Sequence, residues 1–334
     1  MSPRVRWGKP VYNEYMVGHH AVESLFAEAK KEKRCAIPST ETEAKALQRR
    51  VRLGSVERPF RGMYAEAAYW HVLTRYEQLR HVVRALAKKH PDWVFCGPTA
   101  AVMHCLDCSY RLLLPLHILG SPNTHHRNTR QLKRHVVSHP ETTEVEGVKV
   151  TGLMRTLFDC AETLNLRYSL APIDSALRAG HVSRDDLLAY PSSVKYSRHR
   201  QSAIRAFDLS DARSENGGES SARGMLHDTG YPPDDIQVEF ACLDRPNRRH
   251  RVDFLWRKEN GTFVALEFDG VRKYVDPNMT SGKAVREVVD EERSRQQCLQ
   301  RQGVAMVRMY ASELDNPQRV LADLERLGIR RTHS

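Results

Sequence analysis

The chain is predicted to be a multi-domain protein of mixed α/β class. Two observations carry this reading. Its 334 residues suffice for two or three separate cores. Its apolar patterning also changes character along the chain: residues 1–90 are helix-rich and basic, 91–190 mix strands with helices, and 215–334 follow the order helix, three strands, helix, strand. A Ser/Arg/Gly-rich stretch, 191–214, reads as the linker before the last of these.

In the first segment, Thr40 and Glu43 have capping-box spacing, which satisfies free amides at a helix start. Ala44, Leu47 and Val51 then recur at helical spacing, and Gly54 is placed to stop the helix. The opposite face carries Lys45, Gln48, Arg49 and Arg52, and residues 55–64 are short enough for a two-stranded hairpin. A basic helix followed by a basic hairpin is how a winged helix presents itself to DNA, with Arg49, Arg52 and Arg61 as the phosphate contacts. A solvated helix face would show the same charges. Helix 74–89 places Tyr76, Leu79, Val83 and Leu86 on one stripe, which reads as core.

The wing, Arg61-Gly62-Met63-Tyr64-Ala65, resembles that of AbiE-type (AbiEi-like) antitoxins. The similarity continues through Gly97-Pro98-Thr99-Ala100-Ala101, His117-Ile118, Gly147-Val148-Lys149-Val150-Thr151 and Arg155-Thr156-Leu157-Phe158-Asp159, and covers roughly residues 40–190. It implies a winged-helix domain followed by a small α+β middle domain. It also implies a repressor role, with a cognate toxin as partner.

A formal charge of +11 favours a polyanionic partner, because Lys and Arg gain by displacing counterions from phosphate. No apolar run approaches the roughly 20 residues needed to cross a bilayer. Arg4, Arg6 and Lys9 are followed by no apolar stretch, so no secretory signal is expected and the cytoplasm is the expected location. Seven cysteines do not read as a disulfide framework. Cys105-Leu106-Asp107-Cys108 has the gap of a zinc knuckle, with Cys96, His104 and His117 nearby. No second such pair exists, and a packed pair of thiols is expected instead. His125-His126, in a polar loop, reads as solvated.

In the last segment the patterns predict a helix over 219–227, strands over 236–243, 250–256 and 262–268, a helix over 282–302, a strand over 304–309 and a closing helix over 317–327. This is the core order of restriction-endonuclease-like folds. Asp253 falls in the second strand, and Glu267 and Asp269 lie two apart at the end of the third, sharing one face. A hairpin can bring all three together as oxygen ligands for Mg²⁺ or Mn²⁺. Glu219 is the first-helix carboxylate that would support a metal-bound water, or simply a charge favouring the helix dipole. In the alternative, Asp253 pairs with Arg249 or Arg251, and Glu267 pairs with a surface Lys.

The segment from about 215 to 328 also resembles a family of domains related to very-short-patch-repair endonucleases. The matching residues are Glu219-Ser220-Ser221-Ala222-Arg223, Val252-Asp253-Phe254, Glu267-Phe268-Asp269-Gly270, Lys273-Tyr274, Glu292-Arg293 and Arg295. That resemblance implies a PD-(D/E)XK nuclease. The wider superfamily has Glu-x-Lys in the third strand, where this chain has Asp269, so the basic role falls to Lys273 or to Arg295. The expected function is metal-dependent hydrolysis of DNA, with Asp253, Glu267, Asp269 and Lys273 catalytic. The rival is an AbiEi-like repressor whose nuclease fold only binds. RNA as substrate stays open, though no RNA-module signature is present.

Overall fold

A computed structural model describes residues 12–120, 128–137, 140–245, 247–269 and 285–332, without the side chains of 12–19 and 285–290. Lys273, His125-His126 and the expected helix start at Gly282 lie outside the described residues. Helices and small sheets alternate, as the mixed α/β class requires. No described helix is long and apolar enough to cross a membrane. The chain divides into two compact units. One contains residues 1–95, 113–137 and 141–151, and the other 96–112, 138–140 and 152–334.

In the first unit, α1 (Tyr12–Lys31) and α2 (Glu41–Arg52) precede a hairpin of β1 (Val56–Phe60) and β2 (Met63–Glu66). The capping box forms: Thr40 accepts from the amide of Glu43, whose carboxylate accepts from the amide of Thr40. Gly54 (φ +76°) ends α2 and Gly62 (φ +73°) turns the hairpin, in left-handed conformations that disfavour a Cβ. Val22, Phe26, Leu47, Val56 and Tyr64 form the core here. α3 (Ala67–Val72) and α4 (Arg75–Lys89) follow. α4 buries Leu79, Val83 and Leu86, and also His81, Val82 and Ala85, whereas Tyr76, expected on the same stripe, is only half-buried. Strands β3 (Leu116–Leu119) and β4 (Leu132–His135) pair in parallel, and β5 (Thr142–Val145) and β6 (Val148–Thr151) antiparallel.

The middle segment 91–190 is divided between the two units. Its strands belong to the first unit, whereas its helices α5 (Gly97–Met103), α6 (Leu153–Thr163), α7 (Leu166–Arg178) and α8 (Arg184–Ser193) belong to the second. The stretch 191–214, expected as a linker, is not without structure. It contains α9 (Arg200–Asp208), whose Ala203, Ala206 and Phe207 are buried. Serine and arginine dominate that stretch, and these three apolar residues suffice to pack it against α6 and α7.

The second unit continues with α10 (Gly217–Thr229), β7 (Asp235–Ala241), β8 (Arg249–Arg257), β9 (Phe263–Asp269), α11 (Val285–Arg301), β10 (Val304–Tyr310) and α12 (Gln318–Arg326). The sheet order is β10-β9-β8-β7, antiparallel except for the parallel β9–β10 pair. Gly261 (φ +76°) closes the β8–β9 turn. Ala222, Met225 and Leu226 of α10 and Val320 and Leu324 of α12 share one core with Phe254, Leu266 and Phe268. Leu299 of α11 shares a second core with Val252, Leu255 and Ala265. The expected order helix, three strands, helix, strand is thus present, with each element within a few residues of its predicted bounds.

Candidate functional site

α10 is built for close approach. A Cβ on Gly224 would meet the Leu166 backbone oxygen at 2.3 Å, and one on Gly218 would meet the Phe268 ring at 2.5 Å. Small residues are therefore required where α10 crosses α7 and where its first turn meets β9. Arg223 anchors the helix through a buried ion pair with Asp174 at 2.6 Å, Asp174 being wholly shielded from solvent. Asn216 caps the helix, accepting from the amides of Gly218 and Glu219.

That scaffold sets Glu219, only 5% exposed, against the sheet. Its carboxylate accepts from the Glu215 amide (2.7 Å), Asn216 Nδ2 (2.7 Å) and Gln237 Nε2 (2.9 Å). The same Gln237 nitrogen donates to Asp253 Oδ1 at 3.4 Å. One amide group thus bridges two carboxylates. Burial pushes Glu219 up to about 7. The Glu215 amide opposes that shift, and the charges of Asp253 and Glu215 reinforce it.

Asp253 sits where two strands part. The β8–β9 ladder ends at Phe254 opposite Leu266. One step further, the amide of Phe268 donates to Asp253 Oδ2 at 2.8 Å, where a ladder would offer a backbone carbonyl. Side-chain alternation is interrupted at the same point, since Val252 joins the α11 core and Phe254 the α10 core. On β7, Gln237 adopts φ +54°, a conformation that non-glycine residues take at a cost of roughly 1–3 kcal/mol when the surroundings impose it. Its Oε1 is buried without a hydrogen-bond partner.

Glu267 and Asp269 are placed differently. Glu267 is largely buried and paired with Arg295 of α11, which also donates to the Arg251 carbonyl (2.6 Å). Asp269, 7% exposed, lies 4.0 Å from Arg308 of β10. Arg308 also pairs with Glu292. The expected alternatives for Asp253 do not form, because Arg251 pairs with Glu215 and Arg249 with Glu239. The partner of Glu267 is an arginine of α11, not a surface lysine. Asp253 and Glu219 are thus brought together, with Glu267 and Asp269 held nearby on arginines. These carboxylates do not bring three donor atoms within 4.8 Å of one another; among the described residues the group that does is Cys242, His250 and Cys298.

Arg49 and Arg52 are exposed in the last turn of α2, and Arg61 is exposed in the β1–β2 turn. The packed thiol pair at Cys105 and Cys108 is corrected. Cys108 is buried, and burial pushes its thiol up to about 12, but Cys105 is exposed. Cys105 takes φ +64° just beyond α5, turning out of the core that Cys108 enters. Gln237 and the Cys242–His250–Cys298 group were missed in the sequence. Neither shows a motif spacing.

Comparison with models of known protein families finds no match. Among curated proteins the chain is similar to two uncharacterized proteins from two strains of Mycobacterium tuberculosis. Each is 27% identical over 187 residues, covering 55% of this chain and 65% of the relative. No solved structure matches.

Proposed function

We propose that residues 215–334 form a restriction-endonuclease-like, PD-(D/E)XK-type domain that hydrolyses DNA phosphodiesters with Mg²⁺ or Mn²⁺. The observation that carries the reading is the pair Glu219 and Asp253, bridged by Gln237 where β8 and β9 part. The donor set fits a hard divalent cation. It consists of oxygens only, the buried Glu219 carboxylate and the half-buried Asp253 carboxylate share one locus, and the Gln237 Oε1 beside them has no partner. Asp253 and Glu219 would hold the ion, with Glu267 and Asp269 as the further carboxylates. A bound divalent ion supplies a water of lowered pKa and positive charge for the scissile phosphate.

The chain's own residues do the rest. Glu219 and Asp253 would orient the attacking water. As its oxygen attacks phosphorus its proton leaves to bulk water, the P–O ester bond breaks, and the departing oxygen takes a proton from solvent. Arg295 and Arg308, held at the cluster by Glu267 and Glu292, offer positive charge to the phosphate in place of the lysine that Asp269 displaces. Lys273 remains the other candidate for that role. Arg49, Arg52 and Arg61 supply sequence-independent phosphate contacts from the first unit.

The test is plasmid and single-stranded DNA cleavage under Mg²⁺ and Mn²⁺ titration, with a chelated control. Cleavage by wild type that is lost in Asp253→Asn is the expected result. Wild type that cuts neither DNA under either metal would remove the enzyme reading.

One observation favours a second reading, an AbiEi-like repressor with an inert nuclease fold and a toxin as partner. Glu267 is already neutralised by Arg295, and Asp269 stands where an active superfamily member has lysine. DNA binding without cleavage under any divalent metal would decide for it.

A further inference from the structure

Cys242 follows β7, His250 opens β8 and Cys298 lies on α11, and their donor atoms all fall within 4.8 Å of one another. The three are 7%, 4% and 1% exposed. The two sulfurs are 3.5 Å apart, far outside the roughly 2.05 Å of a disulfide bond. That separation is close to the ~3.8 Å expected of two thiolates that share a tetrahedral zinc with Zn–S near 2.3 Å.

A further observation points to a ligand. His250 Nε2 is buried and has no hydrogen-bond partner, an arrangement that a satisfied core histidine avoids. Cys298 Sγ accepts from the Leu243 amide at 3.3 Å. Two cysteine sulfurs and an imidazole nitrogen are a soft-to-borderline donor set.

We propose that Cys242, His250 and Cys298 form a zinc(II) site, with a solvent oxygen completing the tetrahedron. The set suits zinc and rejects the hard cation assigned to the carboxylates. It also has a structural consequence. Cys298 lies three residues beyond Arg295 on α11, so the zinc would tie that helix to the β7–β8 turn and fix the turn of helix that presents Arg295 to Glu267. This site is independent of the proposed hydrolysis, and each can fail without the other.

The test uses the full chain without a histidine tag, purified without chelator. Elemental analysis should find about one zinc per chain, and Co²⁺ exchanged into it should give thiolate-to-metal charge-transfer bands. Cys242→Ser and Cys298→Ser should each lose the zinc, whereas Cys105→Ser and Cys108→Ser should retain it. Should the first two variants fail to fold, wild type still decides the matter. Cys242 and Cys298 should resist alkylation until the zinc is chelated, then react. Absence of zinc and of a cobalt spectrum would overturn the proposal. So would a mass two hydrogens light with Cys242 and Cys298 joined as a disulfide, or a zinc that survives both serine variants.

Discussion

Strand β8 carries two very different clusters only three residues apart. At Asp253 the donors are oxygens, held together and of like charge, and the charge of Asp253 raises the affinity of Glu219 for a proton. At His250 they are two sulfurs and an imidazole nitrogen, directed at one another with amides behind the sulfurs. The first arrangement is electrostatically uncomfortable without a cation, and it sits where β8 and β9 part. The second is compact and lies at the other end of the β7–β8 hairpin. Reactivity is expected where the strands separate, and rigidity where they turn.

The largest effect should separate the two ends. Asp253→Asn should lower Mg²⁺-dependent cleavage by more than the roughly 100-fold typical of losing a supporting group, while leaving the thermal midpoint level. Cys298→Ser should do the reverse, lowering the midpoint far more than it lowers the rate constant of the remaining folded protein. Equal effects of both variants on rate and midpoint would dissolve the distinction.

Next comes the anchor beneath the carboxylate end. Arg223→Ala strands the wholly buried Asp174, and breaking such a pair costs about 3–5 kcal/mol. Urea denaturation should show this loss. A loss below about 1 kcal/mol would mean that α10 is held by packing alone.

A smaller effect follows from Glu219. Its folded-state pKa is raised from the ordinary glutamate value to about 7, so the fold favours its protonated form. In chelated protein that contribution is full below the ordinary carboxylate range and is lost as pH rises through about 7, beyond which the curve levels. The total is about 3 kcal/mol, at 1.36 kcal/mol per pKa unit. Mn²⁺ should restore it above neutrality. Stability that is flat across this window, with or without Mn²⁺, would show that the carboxylate end is unstrained.

The smallest effect lies in the first unit. Changing Arg49, Arg52 and Arg61 together to Ala should reduce the salt dependence of DNA binding by about 2–3 in log–log slope, close to 0.9 per phosphate contact. The effect should be alike for unrelated sequences. An unchanged slope would move DNA contact away from α2 and its hairpin.

The two clusters also differ in how far the sequence disclosed them. Asp253, Glu267 and Asp269 were legible because strand alternation and a short carboxylate spacing coincide with element order. Glu219 was legible through the helix that bears it. The bridging role of Gln237 was hidden, because it depends on a left-handed backbone at a non-glycine residue, which no propensity signals. The Cys242–His250–Cys298 group was hidden because its members come from two strand ends and a distant helix. The local spacing at Cys105 and Cys108 was the more conspicuous signal, and it led away from the buried group. The division of 91–190 between two units was hidden as well, since local periodicity predicts elements and not which core they join.

The most direct test of the cation-binding carboxylates is calorimetric titration of Mn²⁺ into zinc-replete protein, repeated in buffers of different ionisation enthalpy. One Mn²⁺ site is predicted in wild type and none in Asp253→Asn. Binding should release close to one proton at about pH 6, where Glu219 is protonated, and almost none at about pH 8. Absence of Mn²⁺ binding, or binding of equal strength in Asp253→Asn, would contradict the account.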